Sequence, residues 1–218
     1  MKLLNLLSFS VILMTSVGFS QSNTPLYLDA NQADEARLDD LMSRMTLEEK
    51  VYQMNQFVGL DHMREAEKNL SVEDLHSNDA QGFYKGLFSD DVAQMTKEGK
   101  IGSFLHVLTT EEANLLQELA FQSRLKIPIL IGIDAIHGNA LVSGTTVYPS
   151  PISLASTWSD AFLYDVGKQS AKEMRATGSH WAFTPNIDVL RDPRWGRVGE
   201  TFGEDPYMVG NMGAAMIN

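Results

Sequence analysis

The sequence contains no cysteine, and basic residues are scarce beside acidic ones. The absence of cysteine excludes disulfides, which an exported protein can do without when its core is large. With 17 Lys and Arg against 28 Asp and Glu, the formal charge is −11. That balance argues against nucleic acid or an anionic membrane surface as a partner. The composition suits a soluble protein that acts on neutral molecules.

Several common catalytic motifs are also absent. No Gly-x-Gly-x-x-Gly follows a predicted strand, and the sequence has neither a P-loop nor a Gly-x-Ser-x-Gly elbow. His62, His76 and His106 have no metal-ligand spacing among them. We therefore predict no metal site, and nothing in the sequence implies an organic cofactor.

The first 20 residues form a unit of their own. Lys2 precedes an apolar run from Leu3 to Val17, and Gly18 and Ser20 supply small residues for cleavage. This pattern predicts a secretory signal peptide, too short for a permanent membrane anchor. Because no cysteine follows it, a lipoprotein anchor is excluded, and the mature chain should begin near Gln21. We expect an exported protein, periplasmic or extracellular, with residues 21–218 as one domain.

Strand and helix patterns alternate along that domain. Strands are predicted at Ile101–Leu108, Pro128–Ile133 and Trp181–Thr184, the last with a possible extension through Ile187 and Val189. Helices follow Thr109 and Ser159, and another begins after Asp205. Strands that alternate with helices indicate an α/β fold with a parallel sheet. We expect residues 57–97 to be irregular or to form short helices.

Capping and periodicity define the predicted helices further. Thr46 and Thr109 each begin a capping box, and Gly178 ends the helix that Ser159 caps. Helical spacing predicts inward faces for three helices: Leu47, Val51 and Met54; Ala113, Leu116, Leu119 and Ala120; Phe162, Val166, Ser170 and Met174. Apolar residues also recur at helical spacing in two further segments: Leu38, Leu41, Met42 and Met45; Met208, Val209, Met212, Ala215 and Met216.

The segment from Thr184 to Pro206 carries an unusual density of charge. Three arginines and five carboxylates lie there among glycines, prolines and two large aromatic residues. A core strand would not carry these charges, and a solvated helix would not carry this much Gly and Pro. A rigid loop at the mouth of a concave site fits the pattern, and so does a structural knot of ion pairs. Asp134 lies at the C-terminal end of the second predicted strand, and the charged segment follows the third. Both features should therefore lie on the same rim of the sheet.

Two motifs resemble signatures of family 3 glycoside hydrolases, typified by β-glucosidases. The first is Arg191-Asp-Pro-Arg-Trp-Gly-Arg197, followed by Glu200 and Phe202-Gly-Glu-Asp205. The second, Gly132-Ile-Asp-Ala-Ile-His-Gly138, lies upstream of it. The resemblance implies a (β/α)8 TIM-type barrel, of which this chain would be the truncated N-terminal portion. Residues 21–218 are indeed fewer than the roughly 250 of a complete barrel.

The resemblance also implies roles for individual residues. Asp134 and Arg197 would hold the glucose at the non-reducing end of a β-glucoside or oligosaccharide. A cap on the next helix is the alternative for Asp134, and an ion pair with Glu200 is the alternative for Arg197. Glu200 would orient its neighbours. We expect the remaining motif residues to be supporting or structural: Arg191, Asp192, Arg194, Trp195 and His137. Trp195 could also stack on a sugar.

The family's reaction is retaining hydrolysis of terminal β-D-glucosyl residues by two carboxyl groups. The resemblance assigns both groups to positions beyond Asn218, so no catalytic residue is predicted in this chain. We expect residues 21–218 alone to be inactive. Hydrolysis of β-xylosides or other exo-β-glycosides and a non-catalytic sugar-binding role stay open as alternatives. The sequence does not indicate the oligomeric state.

Overall fold

The computed structural model describes residues 24–69, 71, 84 and 86–218. The predicted signal peptide at residues 1–20 lies outside this range. The chain divides into two compact units, Met1–Arg44 and Met45–Asn218. Within the described ranges, no helix has both the length and the apolar character needed to cross a membrane.

The described part of the first unit is a 3-10 turn (Leu26–Leu28) followed by helix α1 (Asp34–Arg44). The buried Tyr27 donates its backbone N–H to Asp40 Oδ2 at 3.1 Å, and its carbonyl accepts from Arg37 Nε at 3.1 Å. No residue of α1 is buried. The helix predicted from the spacing of Leu38, Leu41 and Met42 is present, while Met45 lies beyond its end.

The second unit contains a parallel sheet of strands β1 (Gln56–Val58), β2 (Ser103–Leu105), β3 (Leu130–Ile133) and β4 (Trp181–Ala182). Their spatial order is β1-β2-β3-β4, and each neighbouring pair is parallel. The strand order of a doubly wound sheet reverses at a switch point, whereas the wall of a (β/α)8 barrel keeps chain order. The predicted α/β class with a parallel sheet is confirmed.

Seven helices of the second unit fall within the described residues. They are α2 (Leu47–Tyr52), α3 (Leu60–Asn69), α4 (Ser89–Lys97), α5 (Thr110–Ala120), α6 (Pro151–Ala155), α7 (Asp160–Ala176) and α8 (Pro206–Ile217). The predicted caps at Thr46, Ser159 and Asp205 are confirmed. Gly178 follows α7 with φ +93°, a conformation that favours glycine.

The predicted boundaries of the strands need three corrections. Residues 57–97 contain the short helices α3 and α4, as predicted, but they also include most of strand β1, which was not predicted. Strand β1 has only three residues, too few to show a periodic pattern. Strand β2 ends at Leu105 because His106 has φ +57° and leaves the extended conformation. Strand β4 ends at Ala182, so neither the predicted span to Thr184 nor its possible extension through Ile187 and Val189 is observed.

The buried apolar residues form separate core clusters. Phe104 and Ile131 from the strands pack with Leu116 of α5 in one cluster, and Leu163 of α7 packs with Phe202 in another. The four inward residues predicted for α5 are buried as expected. Val209, Met212 and Met216 of α8 are also buried, and Met208 and Ala215 pack against the same cluster.

One predicted helix face is correct except at one position, and another is wrong. In α7 three of the four predicted inward residues are buried, and only Phe162 is exposed, with Leu163 buried instead. In α2 the predicted inner residues Leu47 and Met54 are 74% and 79% exposed. Glu49, on the opposite side of α2, instead accepts hydrogen bonds from the guanidinium of Arg124 at 2.9 and 2.5 Å. The helix is thus oriented by an ion pair and not by its apolar stripe.

Glu112 shows why the second capping box is incomplete. Its backbone N–H donates to Thr109 Oγ1 at 3.1 Å, as expected for a cap. Its side chain does not return to Thr109, because Oε1 accepts the N–H of Asp61 at 3.1 Å, in the first turn of α3. Glu112 is 4% exposed, and burial raises the pKa of its carboxyl group. It therefore links the start of α5 to the turn that follows β1.

Candidate functional site

The carboxyl ends of the parallel strands bring the candidate residues to one rim. Leu105 of β2 pairs with Gly132 of β3, and Ile133 of β3 pairs with Ala182 of β4. His106 directly follows β2, and Asp134 directly follows β3. The charged loop follows β4. This edge is where ligand sites are built in α/β barrels.

Asp134 is joined to a histidine that the sequence analysis did not place in the site. His106 Nε2 lies 2.9 Å from Asp134 Oδ2. A carboxylate only accepts hydrogen bonds, so the imidazole is the donor. The alternative of a helix cap does not describe Asp134, because α6 is the next helix and Ser150 stands at its N-cap position. The Asp134 side chain is 44% exposed, which leaves the carboxylate accessible to a ligand.

The loop between β4 and α8 is anchored by its own ends. Leu190 N–H donates to the carbonyl oxygen of Gly203 at 3.0 Å, and Asn186 and Thr201 form a β-bridge. Thr201 Oγ1 also donates to the backbone carbonyl of Asp188. Phe202 is buried in the cluster beside α7 and α8. These contacts hold the charged residues on a defined loop.

Arg197 and Glu200 form an ion pair on this loop. Arg197 Nε and Nη2 both donate to Glu200 Oε2, at 2.8 and 2.5 Å. Asn186 Nδ2 donates to the same oxygen at 2.8 Å. The bond to Glu200 and the charges of Glu200, Asp134 and Asp188 raise the pKa of Arg197. Glu200 therefore holds the Arg197 guanidinium, and the charge of Asp134 has a smaller influence on the pKa of Arg197.

The other residues of the Arg191–Arg197 motif occupy the exposed part of the loop. Asp192 Oδ1 accepts the backbone N–H of Arg194 at 2.9 Å and its Nε at 3.0 Å. The backbone N–H of Trp195 donates to the backbone carbonyl oxygen of Asp192 at 3.0 Å, and the tryptophan side chain is half-buried. Arg191 is exposed. Asp192 and Arg194 thus form a local pair that closes the turn.

His137 and His180 differ in how their ring nitrogens are satisfied. His180 Nδ1 accepts the N–H of Ile131 at 3.3 Å, and burial lowers the pKa of this histidine. His137 Nδ1 is buried and has no hydrogen-bond partner among the described residues. The charge of His137 is one of the smaller effects that lower the pKa of Glu200. His180 therefore binds the backbone of β3, whereas the Nδ1 of His137 is buried without a partner in the described part of the chain.

Two glycines of the upstream motif are required by close packing. A Cβ on Gly132 would lie 2.6 Å from the ring of Phe183, and a Cβ on Gly138 would lie 2.3 Å from the Thr146 carbonyl oxygen. Gly138 also has φ +90°. The motif therefore combines a half-exposed carboxylate with two closely packed glycine positions. In the described ranges, no three His, Asp or Glu residues are grouped to hold a metal ion.

The profile of the glycosyl hydrolase family 3 N-terminal domain matches residues 46–218. The chain belongs to this family. The predicted resemblance is confirmed, and so is the predicted fold class, a family 3 N-terminal domain being an α/β fold of TIM-barrel type.

Named relatives of this family 3 chain include glucosidases and xylosidases. It is 32% identical over 188 residues to a periplasmic β-glucosidase of Salmonella typhimurium, covering 85% of this chain and 21% of that protein. A β-xylosidase of Formosa agariphila is 39% identical over 125 residues, covering 54% of this chain and 17% of that protein. The chain thus spans about a fifth of the length of these relatives.

A solved structure supports the same assignment. The structure of a β-glucosidase from Listeria innocua in complex with glucose matches with a TM-score of 0.64 and 30% identity. The match covers 85% of this chain and 24% of that one. The family 3 fold is therefore shared over most of the present chain.

The two partly buried glutamates of this domain should respond to pH in opposite ways. Arg197 lowers the pKa of Glu200, so the stability that Glu200 contributes is present above its unfolded pKa of about 4.5 and is lost as the pH falls through the lowered folded pKa. Burial raises the pKa of Glu112, so its contribution is greatest below about 4.5 and declines as the pH rises through the raised folded pKa.

Melting temperatures of wild type, Glu200→Gln and Glu112→Gln, measured from about pH 4 to about pH 7, should show this difference. The advantage of wild type over Glu200→Gln should grow with pH, and its advantage over Glu112→Gln should shrink. Each variant is the matched control for the other, because the chemical change is the same. Parallel pH trends for the two variants would contradict the assigned environments.

Proposed function

We propose that this chain forms one part of the sugar site of an exported retaining β-glucosidase. The observation that carries the proposal is that Asp134 follows β3 and Arg197 lies on the loop after β4, at the same edge of the parallel sheet. The names of the family 3 relatives supply the substrate class. The substrate would be a β-glucoside or an oligosaccharide with a terminal non-reducing glucosyl residue.

The two residues have complementary hydrogen-bonding chemistry for a neutral sugar. A carboxylate such as Asp134 accepts hydrogen bonds from neighbouring hydroxyl groups, and the guanidinium of Arg197 donates to hydroxyl oxygens. Bonds with one charged partner are stronger than bonds between neutral groups. Glu200 would keep the Arg197 fork in place during binding, because it already holds Nε and Nη2.

The bond-breaking chemistry requires two further carboxyl groups. In a retaining glycosidase, the nucleophile and the acid/base lie about 5–5.5 Å apart. The family resemblance assigns both to positions after Asn218. On the described rim, Asp134 is bonded to His106 and Glu200 to Arg197. We therefore propose that this chain contributes binding and orientation, with no metal or organic cofactor in the reaction.

Hydrolysis of β-xylosides is the second candidate activity. The relative from Formosa agariphila is named a β-xylosidase and is 39% identical over its matched residues. The two activities can be separated with aryl β-glucosides and aryl β-xylosides assayed on the protein expressed from its complete gene. A higher kcat/KM for the glucoside supports the first proposal, and a higher value for the xyloside supports the second.

Export is proposed from the apolar leader of residues 1–20, in agreement with the name of the periplasmic relative. We expect the protein recovered from the periplasm or the medium of an expressing bacterium to begin near Gln21. Intact mass measurement of that protein would test this. Recovery only from the cytoplasm, with the leader attached, would contradict export.

Replacing Asp134 tests the proposed sugar contact directly. Asp134→Asn substitutes a neutral acceptor for a charged one and should cost roughly 1.5–3 kcal/mol of transition-state stabilisation. On an aryl β-glucoside, kcat/KM should therefore fall roughly ten- to hundredfold in the protein expressed from its complete gene.

Asp165→Asn is the matched control, because Asp165 is an exposed residue of α7 away from the rim. It should leave kcat/KM within about twofold of wild type. If Asp134→Asn also stayed within about twofold, a change of roughly 0.4 kcal/mol, Asp134 would not be a sugar ligand.

A further inference from the structure

Two hydrogen bonds join His106 to the end of β3 and to Asp134, which directly follows this strand. Its backbone N–H donates to the carbonyl oxygen of Gly132 at 2.9 Å, two residues before Asp134. Its Nε2 lies 2.9 Å from Asp134 Oδ2. A main-chain bond and a side-chain bond therefore fix the imidazole relative to one short stretch of β3.

The backbone of His106 is held in an unusual conformation. Its φ of +57° lies in the left-handed region, which histidine adopts more often than most residues other than glycine. The carbonyl oxygen of His106 lies 2.9 Å from the position that a Cβ on Gly59 would occupy. The residue after β1 thus approaches the backbone of His106 closely, from the side of β2 opposite to β3.

The hydrogen bond from His106 restricts rotation of the Asp134 carboxylate about its terminal torsion. The terminal torsion of aspartate has a broad, roughly two-fold distribution, so an unheld carboxylate samples many orientations. The bond from His106 takes one acceptor position on Oδ2. It leaves Oδ1 and the rest of the acceptor capacity for ligand hydroxyl groups. Holding a ligand group in its bound orientation improves affinity by reducing the ordering cost of binding.

Arg197 does not supply this restraint. Its Nε and Nη2 donate to Glu200 instead. We propose that His106 is the positioning residue for the sugar-binding carboxylate of Asp134. This inference rests on the proposed function, in which Asp134 is a sugar ligand.

A double-mutant cycle on the protein expressed from its complete gene tests the proposal. His106→Gly keeps the positive φ and removes the donor, so it separates the hydrogen bond from the backbone strain. We expect kcat/KM on an aryl β-glucoside to fall roughly tenfold, the size expected for one bond to a charged group. In the Asp134→Asn background, the same change should cost less than about twofold, because coupled residues are not additive.

Two further variants separate positioning from folding. His106→Gln offers an amide donor of similar reach and should recover most of the lost kcat/KM. His62→Gln makes the same change on the exposed face of α3 and should leave kcat/KM unchanged. Melting temperatures of all variants report whether a loss of activity reflects misfolding.

The results separate a failure of the proposed role of His106 from a failure of the proposed role of Asp134. The inference is overturned if His106→Gly costs the same factor with and without Asp134→Asn, or if it has no effect in wild type. If Asp134→Asn itself has no effect on kcat/KM, the proposed role of Asp134 fails, and the inference falls with it.

Discussion

The alignment of parallel strands is the constraint on which the candidate site depends. Backbone hydrogen bonds set β2, β3 and β4 in register, with Leu105 beside Gly132 and Ile133 beside Ala182. The residues that follow these strands must therefore emerge at the same edge of the sheet. Because the strands keep chain order, His106, Asp134 and the charged loop lie on adjacent positions of the rim.

The rim is stabilised by contacts on three levels. Buried side chains such as Phe202 fix the loop in the core, and backbone bonds such as that between Leu190 and Gly203 close it. Ion pairs then orient the exposed groups, as Glu200 does for Arg197. Surface ion pairs contribute little to stability on their own. Here these ion pairs orient exposed side chains such as Arg197, which are accessible to a ligand.

The sequence predicted features that a local pattern encodes. The apolar run ending at Ile133 and the motif around Asp134 gave the strand and its terminal carboxylate, and Thr46, Ser159 and Asp205 gave helix starts. Features that depend on distant residues were missed. Glu112 contacts Asp61, and His106 contacts Asp134, across gaps of 51 and 28 residues. No local spacing reports such pairs.

The central claim is that Asp134 and Arg197 together bind a terminal glucosyl residue, and a crystal structure of the complete protein with glucose bound tests it most directly. The account predicts that Asp134 Oδ1 accepts from sugar hydroxyl groups at about 2.7 Å while Oδ2 keeps its bond to His106. Arg197 should donate to a sugar oxygen while still paired with Glu200. Glucose bound away from this rim, with Asp134 and Arg197 making no contact to it, would contradict the account.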